Sequence, residues 1–183
     1  MKLKFLAITI LASVSLVACN EADKTEVETS APVNETQKSE EVNIKELVYN
    51  LSNRIVTDKS AVIMQDQLIV QDSTGDSVYD LTNEDFFVSI APYIEQTHPW
   101  TNHSLTGCQG ELIEQEFKVS IKDMEGNVIV DETMKSQPNG FIDLWLPRDK
   151  EFQVKIEHAG KMVDDELSTF EDDGTCITNL QLK

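Results

Sequence analysis

The sequence predicts an α+β protein that is mainly β, with a short N-terminal helix and a hairpin region followed by an antiparallel β-sandwich-like domain. Between residues 44 and 55 the apolar residues follow helical spacing. From Phe117 onward they recur at every second position, and turn-forming residues interrupt the chain at short intervals. The second pattern is typical of short antiparallel strands joined by tight turns.

The predicted helix begins after Asn43, a residue type that caps helix N-termini. Glu46 stands three residues further on, as in a capping box. One apolar stripe runs along an otherwise polar helix and is formed by Ile44, Leu47, Val48, Leu51 and Ile55. Such a stripe is typical of a helix that packs on one side only.

A hairpin and a buried strand are predicted after the helix. Residues 67–71 and 77–81 flank the turn Asp-Ser-Thr-Gly-Asp at 72–76. Residues 86–90 form an apolar strand that ends before Pro92. Six further strands are predicted at residues 117–122, 128–134, 141–146, 152–156, 162–167 and 176–182.

The last predicted strand places a cysteine near the core. Cys176, Thr178, Leu180 and Leu182 share one face of this strand, because side chains alternate along it. The leucines are expected to point inward. Cys176 is therefore expected at the rim of the core, which suits a disulfide or a shielded metal thiolate.

The first 18 residues are predicted to be a lipoprotein signal peptide. Lys2 and Lys4 precede an apolar run that ends at residue 18 and is too short for a stable transmembrane helix. The sequence Leu-Val-Ala-Cys at 16–19 resembles the lipobox of bacterial lipoproteins. This resemblance implies cleavage before Cys19 and lipidation of its sulfur, with ordinary secretion as the alternative. The mature protein would be an extracytoplasmic lipoprotein held at the bacterial cell membrane.

Residues 19–43 are predicted to be an acidic, disordered linker that carries the lipidated Cys19. Residues 20–43 contain seven acidic side chains and two lysines and show no hydrophobic periodicity. Such a segment cannot bury enough apolar surface to fold. The folded part is expected to comprise residues 44–112, with the helix, the hairpin and a candidate metal loop, and residues 113–183, the C-terminal antiparallel β domain.

The charge balance excludes one class of partner. The chain has 33 acidic and 15 basic residues, which gives a net charge of −18. Nucleic acid is not an expected partner, because its phosphates require neutralisation by Lys and Arg. The acidity favours solubility and mutual repulsion at a surface.

One loop concentrates the side chains that bind transition metals. His98, His103 and Cys108 lie within eleven residues, and imidazole and thiolate bind soft and borderline metal ions. Gly107 and Gly110 allow tight turns on both sides of Cys108.

The two cysteines that remain after Cys19 have two interpretations. In an oxidising compartment, Cys108 and Cys176 predict a disulfide. Alternatively, they form a metal site with His98 or His103, and this donor set suits Cu(I) and also Zn(II). The residue types and spacing leave both interpretations open.

Four longer strings resemble the CueP family of bacterial copper-binding proteins. They are Phe-Phe-Val-Ser-Ile-Ala-Pro-Tyr at 86–93, His-Ser-Leu-Thr-Gly-Cys-Gln-Gly-Glu-Leu at 103–112, Asn-Gly-Phe-Ile-Asp-Leu-Trp-Leu-Pro-Arg-Asp at 139–149 and Asp-Asp-Gly-Thr-Cys-Ile-Thr at 172–178. The resemblance covers the whole folded part. It implies a role in copper resistance outside the cytoplasm, copper binding through three cysteines, thiol-driven reduction of Cu(II) and delivery of copper to a superoxide dismutase.

The chain departs from this family at one ligand. Two of the family's cysteines match Cys108 and Cys176, but the third is expected at position 100, where this chain has Trp100. The resemblance then implies Cu(I) held by Cys108 and Cys176, with His103 and His98 as auxiliary ligands. Trp100 would cap the ion through its ring or shield the loop. Cupric reductase activity is the function most affected, because internal disulfide exchange loses its third partner.

We therefore expect a membrane-anchored, extracytoplasmic copper-binding protein involved in copper resistance and homeostasis. Two alternatives remain: a non-metal binding or structural lipoprotein with a Cys108–Cys176 disulfide, and a thiol-dependent cupric reductase. The expected partners are the copper ion, the membrane through the lipid anchor, and a copper-receiving protein such as a superoxide dismutase. A homodimer is left open.

Overall fold

The computed structural model of the protein describes residues 42–183. The predicted signal peptide, the predicted lipidation site Cys19 and the predicted linker up to residue 41 lie outside the described residues. Within 42–183, no helix combines the length and the hydrophobicity needed to cross a membrane. One short helix and eleven strands in three sheets make up this part of the chain, which confirms the α+β, mainly β class.

The three sheets contain strands that are distant in sequence. Their strand orders are β3–β2–β1–β5, β10–β9–β6–β7 and β11–β4–β8. Strand β11 runs parallel to β4, and the other paired strands are antiparallel. The elements are α1 (Ile44–Ser52), β1 (Ser60–Ile63), β2 (Gln67–Asp72), β3 (Gly75–Asp80), β4 (Phe86–Ile90), β5 (His103–Ser104), β6 (Glu116–Asp123), β7 (Val128–Lys135), β8 (Ile142–Leu146), β9 (Glu151–His158), β10 (Lys161–Ser168) and β11 (Cys176–Ile177).

The start of the predicted helix is confirmed and its end is not. The backbone N–H of Glu46 donates to Asn43 Oδ1 at 3.1 Å, so Asn43 is the N-cap. The helix ends at Ser52, and Arg54 adopts a left-handed conformation with φ of 57°. Placing Ile55 on the apolar stripe was therefore wrong, since it lies beyond the helix and its side chain is exposed.

The predicted hairpin is confirmed as β2 and β3, and the strand at 86–90 is confirmed as β4. The prediction of a strand over 176–182 was too long, because the hydrogen-bonded ladder with β4 ends at Ile177. Beyond it, only an isolated bridge joins Gln181 to Tyr93. The predicted alternation nevertheless holds, because the side chains that were expected to share a face are all buried: Cys176, Thr178, Leu180 and Leu182.

Strand β4 has both faces buried. Phe86, Val88 and Ile90 belong to the larger hydrophobic cluster, together with residues of β6, β8 and β9. Phe87 belongs to a second cluster, with residues of α1, β1 and β2. The odd-numbered side chains of β4 share the face of Phe87, and Ser89 is one of them.

Candidate metal centre

The candidate centre is built on a row of residues that crosses the three-stranded sheet. Ser89 of β4 pairs with Asp143 of β8 on one side and with Cys176 of β11 on the other. Paired residues project from the same face of a sheet. His103 of β5, which pairs with Ile63 of β1, reaches this row through its ring. The centre therefore lies where the three-stranded sheet meets the edge of the first sheet.

Three buried side chains form a group with metal-ligand geometry. One ligand atom each of His103, Cys108 and Cys176 lie within 4.8 Å of one another. The exposed fractions of these residues are 0%, 7% and 5%. Phe141 packs on the group, with its ring centroid 4.5 Å from that of His103. The structure thus brings together two thiols and one imidazole beside an apolar wall.

A tight turn after β5 presents Cys108. The backbone N–H of Cys108 donates to Ser104 O at 3.0 Å, and that of Gly107 donates to Ser104 Oγ at 3.0 Å. A Cβ atom at Gly107 would lie 2.7 Å from Ser104 Oγ. Glycine at position 107 therefore avoids a close contact with the Ser104 side chain.

A second close approach holds the loop against the segment that carries Phe141. The backbone N–H of Gly110 donates to Asn139 O at 2.7 Å. A Cβ atom at Gly140 would lie 2.8 Å from Gly110 O, and Gly140 has a φ of +81°. Both the space and the backbone conformation thus require glycine at position 140.

We expect Gly140→Ala to lower the free energy of unfolding by about 2–4 kcal/mol, because a left-handed conformation and a backbone clash act together. Gly126→Ala is the matched control, since Gly126 also has a positive φ but has no atom within 4 Å of an added Cβ. We expect this control to cost about 1–2 kcal/mol. Urea denaturation measures both, and equal losses would contradict the role of the close approach.

The hydrogen bonds of His103 leave one ring nitrogen free. Its backbone N–H donates to Thr175 Oγ1 at 2.9 Å, and the Thr175 hydroxyl donates to Ile63 O at 2.8 Å. Nε2 lies 3.2 Å from Ser89 Oγ. Nδ1 is buried, and no hydrogen bond of standard geometry satisfies it in the described part of the chain. The Cys108 sulfur, whose pKa is lowered by a hydrogen bond from the His103 side chain, is the group that Nδ1 faces. Nδ1 is therefore the nitrogen available to a metal.

The pKa values of the two thiols are shifted in opposite directions. The Cys176 thiol hydrogen-bonds to Cys108 and is the main reason why the pKa of Cys108 falls to about 3, against the opposing effect of burial. The adjacent His103 and the backbone of Ser104 lower the pKa further. The Cys108 sulfur and burial raise the pKa of Cys176. Of the two thiols, Cys108 is therefore the one that ionises first. Both are free cysteines in this structure, and the disulfide between them stays a prediction.

We expect iodoacetamide to alkylate Cys108 at nearly the same rate at pH 6 and pH 8. A lowered pKa of about 3 leaves Cys108 deprotonated at both values, whereas an ordinary thiol would react about a hundredfold more slowly at pH 6. Mass spectrometry of labelled peptides gives the rate for each cysteine, and Cys176 should stay largely unlabelled at pH 6. Cys176→Ala should make the rate at Cys108 increase more between pH 6 and pH 8, because the main hydrogen-bond donor is gone and only His103 and the Ser104 backbone still lower the pKa. A hundredfold rate increase between pH 6 and pH 8 in the unmodified sequence would contradict this assignment.

An open cavity of about 1110 Å³ leads to the two cysteines. His98 and Trp100 line it, and their ring centroids lie 6.2 Å apart. His98 does not belong to the group of ligand atoms within 4.8 Å. Trp100 is 62% exposed. The structure thus separates an inner group of His103 and the two cysteines from an outer pair of His98 and Trp100.

Sequence reasoning did not assign roles to Ser89, Asp143, Thr175 and Phe141. Ser89 carried a signal, because it is the one polar residue in the apolar strand at 86–90. A polar side chain in a buried strand must find a hydrogen-bond partner. The other three become recognisable only when β4, β8 and β11 are placed side by side.

The fold and the site define a small, β-rich protein with a buried thiolate–imidazole site of the kind that suits soft metal ions. The family model described as "Periplasmic copper-binding protein CueP" matches residues 42–181. The chain therefore belongs to the CueP family of periplasmic copper-binding proteins. A solved structure titled "Crystal Structure of S.CueP" is 36% identical, with a TM-score of 0.72, and the match covers 76% of this chain and 88% of that chain. No curated protein sequence matches this chain.

Proposed function

We propose that this chain is an extracytoplasmic protein that binds one Cu(I) ion through Cys108, Cys176 and Nδ1 of His103. The observation that carries the proposal is the buried group of three soft donors within 4.8 Å of one another. Thiolates and imidazole are suitable ligands for Cu(I). Zn(II) prefers four ligands in a tetrahedron and would need a further donor, such as water. The three donors can therefore complete a Cu(I) site by themselves, whereas a zinc site would include a water ligand.

Binding of the ion replaces the proton shared by the two thiols. Cys108 already carries a negative charge because its pKa is lowered. Cys176 loses its proton when the ion binds, since the thiolate is the form that coordinates metals. The cavity provides the entry path, and His98 and Trp100 are the side chains that an ion meets there. We assign His98 an auxiliary role during entry and Trp100 a shielding role at the mouth.

We further propose that lipidation of Cys19 holds the protein at the cell membrane and that residues 19–43 act as an acidic spacer. The lipobox-like sequence at 16–19 supports this proposal. In the proposed division, residues 44–112 supply His103 and Cys108, and residues 113–183 supply Cys176. Participation in copper resistance, delivery to a superoxide dismutase and a homodimer stay predictions.

A Cu(I) titration against a chromogenic chelator tests the proposed binding. We expect the reduced protein to withhold one equivalent of Cu(I) from the chelator and to release about one proton per ion. After oxidation of Cys108 and Cys176 to a disulfide, binding should be lost, because no thiolate remains. Absence of binding to the reduced protein would overturn the proposal. Tight stoichiometric binding that persists in the Cys108→Ser/Cys176→Ser variant would overturn the ligand assignment.

The thiolate–thiol pair also favours a second candidate function, the reduction of Cu(II). Oxidation of Cys108 and Cys176 to one disulfide releases two electrons and the proton of Cys176, and the electrons convert two Cu(II) ions to two Cu(I) ions. The disulfide cannot hold the product, so Cu(I) must leave. Two Cu(I) ions per disulfide formed is the expected ratio. Cu(II) that remains unreduced by the fully thiol form would exclude this activity.

A further inference from the structure

We infer that Ser89 and Asp143 are positioning residues that hold His103 with Nε2 protonated, so that Nδ1 is the ring nitrogen left to face the two cysteines and a metal. The identity of that metal rests on the proposed function. The tautomer itself is a property of the metal-free protein, and it can be measured without any ion.

The three side chains form a hydrogen-bonded chain that ends at a carboxylate. His103 Nε2 lies 3.2 Å from Ser89 Oγ, and Ser89 Oγ lies 2.6 Å from Asp143 Oδ1. The second distance is typical of a hydroxyl that donates to an ionised carboxylate. Gln137 Nε2 donates to the other oxygen, Asp143 Oδ2, at 3.1 Å. Both carboxylate oxygens of Asp143 thus accept a hydrogen bond.

The position of each hydrogen in this hydrogen-bonded chain determines the tautomer of His103. A serine hydroxyl has one hydrogen to donate, and Ser89 gives it to Asp143. Its oxygen can then only accept from His103, so Nε2 must carry the hydrogen. In the neutral imidazole the lone pair is left on Nδ1. The opposite tautomer would require Ser89 to turn its hydrogen away from a carboxylate and leave Asp143 Oδ1 without this donor.

Burial explains why this arrangement is maintained. Ser89 and His103 are both completely buried, and a buried polar group is costly unless it forms a hydrogen bond. The cross-strand pairs Ser89–Asp143 and Ser89–Cys176 fix all three residues on one row. The row thus aligns the carboxylate, the hydroxyl and one cysteine, with the His103 ring against the hydroxyl.

The hydrogen-bonded chain does not include Nδ1 of His103. This nitrogen is buried, and no hydrogen bond of standard geometry satisfies it among the described residues; a buried polar group left in this way is costly. A metal ion at the two sulfurs would satisfy it. Partners that orient a ligating histidine are typically worth about 10–100-fold in metal affinity. We therefore expect Ser89→Ala to weaken Cu(I) binding by about this factor.

The tautomer is tested in the reduced, metal-free protein at pH 8 by long-range ¹H–¹⁵N NMR of the histidine rings. We expect the signals of His103 to show Nε2 protonated, and those of Ser89→Ala to show a mixture of tautomers. Ser52→Ala is the matched control, since Ser52 is a fully buried serine of the helix α1 and its hydroxyl has no hydrogen-bond partner within residues 42–183. This control should leave the spectrum of His103 unchanged. An Nε2 without a proton in the unmodified sequence would overturn the inference.

A double-mutant cycle tests whether Ser89 acts through His103. Ser89→Ala should cost about 10–100-fold in Cu(I) affinity when His103 is present and less than about threefold in a His103→Ala background. Equal losses in both backgrounds would overturn the positioning role. If the unmodified protein binds no Cu(I), the proposed function fails, and the NMR measurement still decides the tautomer on its own.

Discussion

Replacing Cys108 by serine is expected to lower the Cu(I) affinity of the reduced protein several hundredfold. Structural zinc sites with four protein ligands contribute about 10–16 kcal/mol in total, so one ligand accounts for about 2.5–4 kcal/mol, and a loss near the middle of this range is a few hundredfold. Cys176→Ser should have a similar effect, and the double variant should show no stoichiometric binding. Competition with a chromogenic chelator measures all three variants, and near-ultraviolet circular dichroism verifies that the fold is retained.

The two single variants should differ in their pH dependence. Cys176→Ser removes the thiol that is the main cause of the low pKa of Cys108, although a serine hydroxyl can still donate to the thiolate. Cys108→Ser removes the sulfur that raises the pKa of Cys176. The remaining Cys176 should then lose its proton at lower pH than before. Residual Cu(I) binding by Cys108→Ser should therefore increase steeply with pH, since a proton must leave the remaining thiol.

His103 offers a comparison between an inner histidine and a surface histidine. His103→Ala should reduce Cu(I) affinity about tenfold to a hundredfold, because a neutral nitrogen donor is lost while both thiolates remain. His158→Ala is its control, since His158 lies at the end of β9 and contacts the backbone of Glu116 through Nδ1 at 2.8 Å. An equal loss in both variants would contradict a ligand role for His103.

Much of the fold could be predicted from periodicity. Alternating apolar residues located β6 and β9, and the turn at 72–76 located the hairpin of β2 and β3. The short strands β1 and β5 were missed, because two to four residues carry no measurable period. The parallel pairing of β11 with β4 was also missed, since side-chain alternation indicates burial but does not identify the partner strand.

The candidate site was predicted in its residue types and only partly in its geometry. The sequence indicated that His103, Cys108 and Cys176 could come together, but it gave no reason to prefer His103 over His98. The difference arises from β5, which pairs with β1 and fixes His103 in the interior. Pro99 follows His98 directly, and this segment lines the mouth of the cavity instead. Ser89 and Asp143 depend on cross-strand register, which a single sequence does not specify.

Trp100 stands where the resemblance predicts a third cysteine, and the structure shows that this position borders the centre. Its neighbour Thr101 accepts a hydrogen bond from the backbone N–H of Cys176 at 3.1 Å. A Cβ atom at Gly174 would lie 2.7 Å from Thr101 O, so this segment packs closely on the loop before β11. Trp100 lines the cavity that leads to Cys108 and Cys176. A cysteine at position 100 would therefore face the same cavity as Cys108 and Cys176.

Trp100→Cys is expected to raise the Cu(I) affinity of the reduced protein by about tenfold to a hundredfold. A third thiolate contributes about 3–4 kcal/mol, and ordering of an exposed side chain removes about 1–2 kcal/mol of this gain. Trp100→Ala removes the indole ring without adding a sulfur, so it distinguishes the effect of the new thiol from the effect of losing the ring. Ile113→Cys controls for an exposed thiol that does not line the cavity. Only Trp100→Cys should bind more tightly in the chelator competition.

The same variant tests the link between the missing cysteine and copper reduction. With two cysteines, oxidation to a disulfide removes both thiolates from the site, so reduced copper must be released. With three, one disulfide can form while a thiolate and His103 remain to hold Cu(I). Trp100→Cys should therefore retain part of the Cu(I) that it generates from Cu(II), whereas the unmodified protein should release it. If Trp100→Cys and Trp100→Ala bind and retain Cu(I) equally, a thiol at position 100 does not become a copper ligand in this protein.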